Sequence, residues 1–124
     1  MIQLRSILKV ADNSGAQTVR CIQIVGGFFH RYGQIGDIIT ASVQTAKPRK
    51  SVKKKDVVKC VIVRQRRNFK RKNGTYISFD DNAVVIINDK VKKEPVATRI
   101  FGPIPREIKD KGYTKIIELG PELV

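Results

Sequence analysis

Residues 57–87, VVKCVIVRQRRNFKRKNGTYISFDDNAVVII, contain the pattern that decides the fold of this 124-residue chain. The β-branched run at 57–63 predicts a buried strand, in which Lys59 is the polar interruption. Asn73-Gly74 is the preferred dipeptide of a tight hairpin turn, and YISF and NAVVII after it are returning strand material. We therefore predict a β-ribbon whose arm bears six basic side chains: Arg64, Arg66, Arg67, Lys70, Arg71 and Lys72.

Phe69 interrupts this basic run, and two roles for its ring stay open. A flat ring among guanidinium groups can stack on a base or a ribose. It can equally pack across the ribbon. In either case the charge density of the arm predicts contact with phosphates.

The net charge of the chain is concentrated in the same region. The sequence has 25 basic and 11 acidic residues, for a formal charge of +14. Residues 47–72 carry 13 of the basic residues and one acid, Asp56. The net charge is +2 over residues 1–46 and zero over residues 73–124. Adjacent like charges repel unless a partner neutralises them. The pattern therefore predicts a polyanionic partner, either nucleic acid or an acidic membrane face.

The sequence ahead of this segment reads as further short strands. Turn formers in ADNSGAQ (11–17) and a Gly-rich loop (26–37) separate three alternating stretches. The apolar positions of the first stretch are Leu4, Leu8 and Val10. The third stretch has an apolar face made of Ile39, Ala41 and Val43. Such short strands with turns between them predict a small antiparallel barrel or sandwich.

The C-terminal part differs in its pattern. PREIKDKGYTKIIEL (105–119) has spacings that allow a short helix, with Pro103 and Pro105 at its start. No repeat or linker divides the chain, so we expect one domain over residues 1–124. Within it, 47–74 form the basic loop and ribbon, and about 103–124 form the short-helix region.

The sequence offers little material for catalysis, a metal or a cofactor. Cys21 and Cys60 are 39 residues apart and His30 is the only histidine, so ligand count excludes a zinc ribbon. Buried, reduced cysteines in strands are the expected state, and a disulfide is the alternative. Asp80 and Asp81 read as a turn. We predict no enzyme, no metal, no cofactor, no membrane span and no signal peptide.

Two other classes of protein are alternatives to a structural protein embedded in RNA. A free single-strand binder on a small barrel, such as a cold-shock-like module, requires aromatic side chains clustered on adjacent strands. The eight aromatic residues of this chain are dispersed. An enzyme acting on nucleic acid requires an acid, base or metal cluster, and none is visible.

Several ordered motifs resemble one family over the whole chain. They are ADNSGA (11–16), GDII (36–39), the central pattern from Val61 through Asn73-Gly74 to Val85, TRIFGP (98–103) and KIIELGPEL (115–123). The sequence is similar to the bacterial-type large-subunit ribosomal protein fourteen family. The resemblance implies a closed five-stranded β-barrel with a protruding basic ribbon and short C-terminal helices. It implies a place on the large ribosomal subunit, in the bacterial cytoplasm or in an organelle.

The resemblance also implies partners. These are large-subunit rRNA, small-subunit rRNA across the subunit interface, the neighbouring large-subunit proteins three and nineteen, and the ribosome silencing factor. The basic loop that matches the family's bridge-forming loop, together with the arm, gives the expected rRNA-binding residues: Arg49, Lys50, Lys53, Lys54, Lys55, Arg64, Arg66, Arg67, Lys70, Arg71 and Lys72. The expected bridge or silencing-factor surface is Pro48, Arg49, Thr98, Arg99, Lys115 and Glu118.

The sequence departs from the family pattern at three positions. Cys60 stands where Gly or Ala is usual, which requires space for a larger buried side chain. Lys55 replaces a common Gly, and a turn with positive φ there would strain it. Gly120 replaces a more usual Ala. The ADNSGA motif is expected to form a tight turn between barrel strands.

Overall fold

The structure is mainly β, with two short helices near the C-terminal end. It is a computed structural model that describes residues 2–25, 32–48, 52–88 and 94–124. Its elements in chain order are β1 (Ile7–Val10), β2 (Ala16–Ile24), β3 (Ile38–Ala46), β4 (Val57–Arg64), β5 (Phe69–Lys70), β6 (Tyr76–Ile77), β7 (Ala83–Ile87), β8 (Pro103–Ile104), α1 (Glu107–Asp110), α2 (Thr114–Leu119) and β9 (Glu122–Leu123).

Five strands form a closed barrel in the order β1-β2-β3-β4-β7. Neighbouring strands pair antiparallel except at the closure, where β1 and β7 are parallel and Lys9 lies opposite Ala83. Closure leaves the five strands without a free edge, which removes a route to aggregation. The closed five-stranded barrel implied by the resemblance is confirmed, and the sandwich alternative is excluded.

The apolar run of β4 faces two different cores. Cys60 and Ile62 point into the barrel, whereas Val61 and Val63 belong to a second cluster with the buried side chains of α1 and α2. Because both faces are covered, β4 and β7 are apolar at consecutive positions instead of alternating. The C-terminal helices therefore stabilise the barrel wall that leads into the ribbon.

The predicted apolar face of β3 is confirmed, since Ile39, Ala41 and Val43 are all buried in the barrel. Cys21 and Cys60 are buried as free thiols, as expected. Burial raises the pKa of both thiols. Neither cysteine therefore has the thiolate character that reactivity requires.

Leu4 corrects one expectation, because it is 57% exposed and lies outside the barrel core. The chain turns just before β1, where Arg5 takes a φ of +70° and its N–H donates to the Cys21 carbonyl at 2.8 Å. A non-glycine residue in the left-handed region is uncommon and cannot be read from an alternating pattern. The buried alternation therefore starts only at β1.

The hairpin at Asn73-Gly74 is confirmed, but the paired ribbon is short. It consists of β5 and β6, with Phe69 opposite Ile77 and Lys70 opposite Tyr76. Gly74 has a φ of +87°, and the Asn73 Oδ1 atom accepts hydrogen bonds from Thr75. The ribbon thus begins several residues after the end of the barrel strand.

The C-terminal pattern forms two helices where the residues alone predicted one. Gly112 has a φ of +92° and ends the first helical stretch. Tyr113, which follows it, is buried and its hydroxyl group donates to the Gly36 carbonyl at 3.3 Å. The short helices implied by the resemblance are confirmed.

Candidate RNA-binding surfaces

Strand β4 places the two halves of the basic segment at opposite ends of the barrel. The loop from β3 to β4 precedes Val57, and the ribbon follows Arg64. At about 3.3 Å per residue, the eight residues of β4 separate the two regions by roughly 25 Å. The segment 47–72 is continuous in sequence, but its described basic residues form two surfaces.

The loop surface is built on a tight turn before β4. The Lys53 N–H donates to Asp56 Oδ2 at 2.9 Å, and the Asp56 N–H donates to the Lys53 carbonyl at 3.2 Å. Lys55, which replaces a common Gly of the family, has a φ of +74°. This left-handed conformation is unfavourable for a lysine, so the turn carries the strain expected from the sequence. The turn leaves Lys53, Lys54 and Lys55 exposed.

Three residues of interest lie outside the described part of the chain: Arg49, Lys50 and His30. Pro48, which precedes them, is exposed. The Lys47 N–H donates to the Gly15 carbonyl at 2.7 Å, which ties the start of this loop to the turn between β1 and β2.

The ribbon surface has four exposed basic side chains: Arg66, Arg67, Lys70 and Lys72. The first two lie in the loop between β4 and β5, where the Arg66 N–H donates to Asn82 Oδ1 at 2.9 Å. This contact fixes the backbone of the loop while the side chain of Arg66 stays in solvent. Such cations can approach a polyanion without breaking a bond inside the protein.

Arg64 is not part of that exposed set, although the sequence grouped it with the arm. Its side chain is 9% exposed and pairs with Asp81 at 3.0 Å. The guanidinium group also donates to the Phe101 carbonyl at 2.9 Å and to the Pro103 carbonyl at 3.3 Å. Arg64 thus joins β4 to the loop ahead of α1, and its donors are used inside the protein.

Arg71 is likewise directed inward. Its Nε atom lies 2.9 Å from Glu107 Oε1, and its Nη2 atom donates to the backbone oxygen of Val124 at 2.7 Å. Both side chains of the ion pair are less than one-fifth exposed. The contacts hold the ribbon turn against the C-terminal segment.

Thr98 and Arg99 are exposed next to the turn between β1 and β2. Asn13 Oδ1 accepts from the N–H groups of both residues at 3.1 Å, and Asn13 Nδ2 donates to Thr98 Oγ1 at 3.0 Å. The Arg99 guanidinium lies 6.0 Å from the centre of the Phe101 ring, within cation–π range. The structure thus brings Thr98–Arg99 and the start of the β3–β4 loop to the same turn.

Lys115 and Glu118 lie on α2, three residues apart and both exposed. The Lys115 Nζ atom donates to Glu94 Oε1 at 2.6 Å. Glu94 in turn accepts a backbone hydrogen bond from Asn88, just beyond the end of β7. The contact therefore places Lys115 at the same end of the barrel as the β3–β4 loop.

A sequence comparison decides the family. The model of the family described as ribosomal protein L14p/L23e matches residues 1–124. The chain belongs to the ribosomal protein L14p/L23e family. Membership makes it a structural protein of the large ribosomal subunit, associated with that subunit and its rRNA, in a family that is generally not enzymatic.

The aromatic side chains of this L14p/L23e protein include one that the sequence interpretation missed. Phe69 packs against the second hydrophobic cluster, the one that contains Val61 and Val63, which favours its packing role over stacking on RNA. Tyr76 on the opposite ribbon strand is 64% exposed and lies opposite Lys70. Alternation along the short ribbon was the available signal, since it places Tyr76 and Ile77 on opposite faces.

The described part of this L14p/L23e chain has neither a metal-binding cluster nor a membrane-spanning helix. Among residues 2–25, 32–48, 52–88 and 94–124, no three His, Cys, Asp or Glu side chains lie close enough to hold a metal ion. Within the same ranges, no helix has the length and apolar character needed to cross a membrane. Asp80 and Asp81 lie in a bend, and Asp81 is used by Arg64.

Proposed function

We propose that this protein binds large-subunit rRNA through its ribbon and forms a bridge to small-subunit rRNA at the opposite end of the barrel. The observation that carries this proposal is the separation of two exposed basic surfaces by the length of β4. A rigid barrel between two cationic surfaces can contact two RNA molecules without bending. Lysine and arginine bind phosphates through charge and counterion release, which suits both contacts.

The proposed rRNA contacts are the basic side chains that the structure leaves exposed: Lys53, Lys54, Lys55, Arg66, Arg67, Lys70 and Lys72. Arg49 and Lys50 are proposed from the sequence alone. We leave Arg64 and Arg71 out of this set because internal acceptors occupy their guanidinium groups. They would position the arm instead of touching RNA.

The proposed bridge or silencing-factor surface is Pro48, Arg49, Thr98, Arg99, Lys115 and Glu118. Pro48, Thr98 and Arg99 lie at the barrel end where the turn between β1 and β2 meets the loop from β3 to β4, and Lys115 contacts Glu94 just beyond β7. Glu118 follows on the same helix as Lys115. Exposure of Thr98, Arg99 and Lys115 supports a docking role for this end. Binding of the ribosome silencing factor there would block access of the small subunit.

A protein neighbour is proposed for the outer face of the β1–β2 pair. Ile7 is 56% exposed and Ile22 is 48% exposed, and Leu4, just ahead of β1, is also exposed. Exposed apolar side chains grouped on one strand pair are typical of contact surfaces. The large-subunit proteins three and nineteen are the proposed neighbours in a ribosome of the bacterial or organellar type, and cross-linking of assembled subunits tests them.

Charge reversal on the ribbon tests the rRNA contact. We expect the double variant R66E/R67E to be depleted from large subunits on a sucrose gradient, because repulsion replaces phosphate attraction. The matched control K109E/K111E reverses the same number of exposed charges at the end of α1, away from Arg66 and Arg67. Normal incorporation of R66E/R67E, with the barrel folded by circular dichroism, would refute the contact.

The unmodified protein provides a second test. In a native extract it should migrate stoichiometrically with the large subunit and resist a high-salt wash. Recovery mainly in the free fraction would instead support the soluble single-strand binder.

A further inference from the structure

Asn13 makes an unusual set of contacts with the exposed segment at 98–99. Its side-chain carbonyl accepts from two consecutive backbone N–H groups, and its amide donates to the Thr98 hydroxyl oxygen. Its own N–H donates to the Arg99 carbonyl at 3.2 Å. One residue of the β1–β2 turn therefore contacts the backbone and the side chain of the segment at once.

The barrel wall holds Asn13 in place. The neighbouring residue Asp12 is buried, and its Oδ2 atom accepts the Ile86 N–H of β7 at 3.0 Å. The Asp12 Oδ1 atom accepts from the N–H and the hydroxyl of Ser14 at 3.1 and 2.6 Å. The turn is thus fixed on both sides of Asn13, and the amide of Asn13 has a defined direction.

The contacts decide what the segment presents outward. Because the Thr98 oxygen accepts from Asn13, its hydroxyl hydrogen can donate to a partner. The Arg99 side chain extends over Phe101, whose ring is 49% exposed. A hydroxyl donor, a guanidinium group and an exposed aromatic ring together fit a protein surface with carboxylate and apolar groups better than an RNA backbone.

We propose that Asn13 is a positioning residue that holds Thr98 and Arg99 in the geometry required by the silencing factor. This inference rests on the proposed docking of that factor at this end of the barrel. Asn13 acts through Thr98 and Arg99, since its own hydrogen-bonding groups are directed to them. Loss of its side chain would release the two N–H groups and let the segment take other conformations before binding.

The test measures the affinity of purified silencing factor for the full-length protein and for N13A. We expect N13A to bind about tenfold more weakly. The net free energy of one or two hydrogen bonds that preorganise the segment corresponds to about this change in affinity. The variant N13D keeps an acceptor for both N–H groups but loses the donor to the Thr98 hydroxyl oxygen, so it should recover part of the affinity lost in N13A. Rescue by N13D would separate the acceptor role from a general loss of stability.

N73A is the matched control for this experiment. Asn73 also accepts from a backbone N–H and a hydroxyl group within a tight turn, but it lies on the ribbon. N73A should leave the affinity for the factor unchanged. Equal weakening by N13A and N73A, or unchanged binding by N13A, would overturn the positioning role.

Amide hydrogen exchange of Thr98 and Arg99 separates failure of this inference from failure of the proposed partner. Both amides should exchange faster in N13A and remain protected in N73A. If the unmodified protein does not bind the factor, the proposed partner and this role toward it are wrong. If it binds the factor and the two amides of N13A stay protected, only the inference about Asn13 is wrong.

Discussion

The guanidinium group of Arg64 packs so closely against Gly102 that a Cβ atom there would collide with it. Gly102 has a φ of +81°, and the carbonyl groups on either side of it, from Phe101 and Pro103, accept hydrogen bonds from Arg64. The last residue of β4 and the glycine of the TRIFGP motif therefore depend on each other. This contact holds the C-terminal part of the chain at the point where the barrel leads into the ribbon.

Gly102→Ala should destabilise the protein by about 3 kcal/mol, since it adds backbone strain and displaces a buried, charged hydrogen-bonding group. The control is Gly74→Ala, at a similar φ of +87° with nothing within 4 Å of an added Cβ. That variant should lose only about 1 kcal/mol, from backbone strain alone. Urea unfolding of both proteins measures the difference, and equal losses would contradict the role given to Arg64.

Glu107→Gln should loosen the ribbon while leaving the barrel intact, because it removes the charge that pairs with Arg71. The pair is mostly shielded from solvent, so we expect a local loss of about 1 kcal/mol. The measurement is amide exchange of residues 69–77 compared with the barrel strands. Asp110→Asn, on the exposed side of α1, is the control, and the prediction fails if both variants exchange alike.

The stability of the protein should depend on the ionisation of Asp12. Burial raises the pKa of Asp12 above its ordinary value of 3.8, against the opposing effect of its hydrogen bonds from Ser14 and Ile86. Between the unfolded value and the raised folded value, the folded state binds more protons than the unfolded state. The contribution of Asp12 to the free energy of unfolding therefore increases as the pH falls from the folded pKa toward the unfolded pKa. It is lost as the pH rises through the folded pKa.

Comparison with Asp12→Asn isolates this effect from the other carboxylates. The free energy of unfolding of the unmodified protein minus that of the variant should grow as the pH is lowered toward 3.8. Chemical denaturation at a series of pH values checks the slope. A difference that is flat, or that shrinks with acidification, would show that burial does not control this carboxyl group.

Glu94→Gln should strengthen binding of an acidic partner at the Lys115 end of the barrel. The substitution removes the carboxylate that lies 2.6 Å from Lys115 Nζ, so a partner no longer competes with it. The pair is partly exposed and we expect a gain of only about threefold in affinity for the silencing factor. Titration calorimetry at two salt concentrations tests this, with Glu122→Gln as a charge-matched control. Weaker binding by the variant would contradict the competition.

Tyr76→Ala should weaken rRNA binding by about tenfold, because stacking of one base on an aromatic ring has this order of magnitude. The control Tyr32→Ala removes a ring that is 45% exposed and does not belong to either ribbon strand. Filter binding to large-subunit rRNA fragments measures both. Equal affinity of the two variants would show that Tyr76 does not stack on RNA.

The sequence predicted strand positions well wherever alternation or an apolar run was long. The face of Ile39, Ala41 and Val43 and the turn at Asn73-Gly74 follow from local rules. Closure of the barrel came from family resemblance, because the pairing of Lys9 with Ala83 joins distant parts of the chain. No local pattern specifies such a parallel contact.

The surface residues were harder to predict for a physical reason. Arg64 and Arg71 look like their neighbours in the sequence, yet each has a carboxylate partner from another part of the chain, Asp81 or Glu107. Composition measures how much charge a segment carries, and only the tertiary structure decides which charges are already neutralised. The Asn13 contacts with the segment at 98–99 were hidden for the same reason.

The parallel closure between β1 and β7 has a consequence for synthesis of the protein. The first strand emerges from the translating ribosome long before β7, so its edge stays unpaired while the intervening chain is made. Barrels that rely on such distant pairing fold slowly, and their open intermediates are prone to aggregation. A nascent chain bearing thirteen positive charges between residues 47 and 72 repels other copies of itself during that interval. The positive charge that favours RNA binding by the folded protein would thus also protect the nascent chain against aggregation.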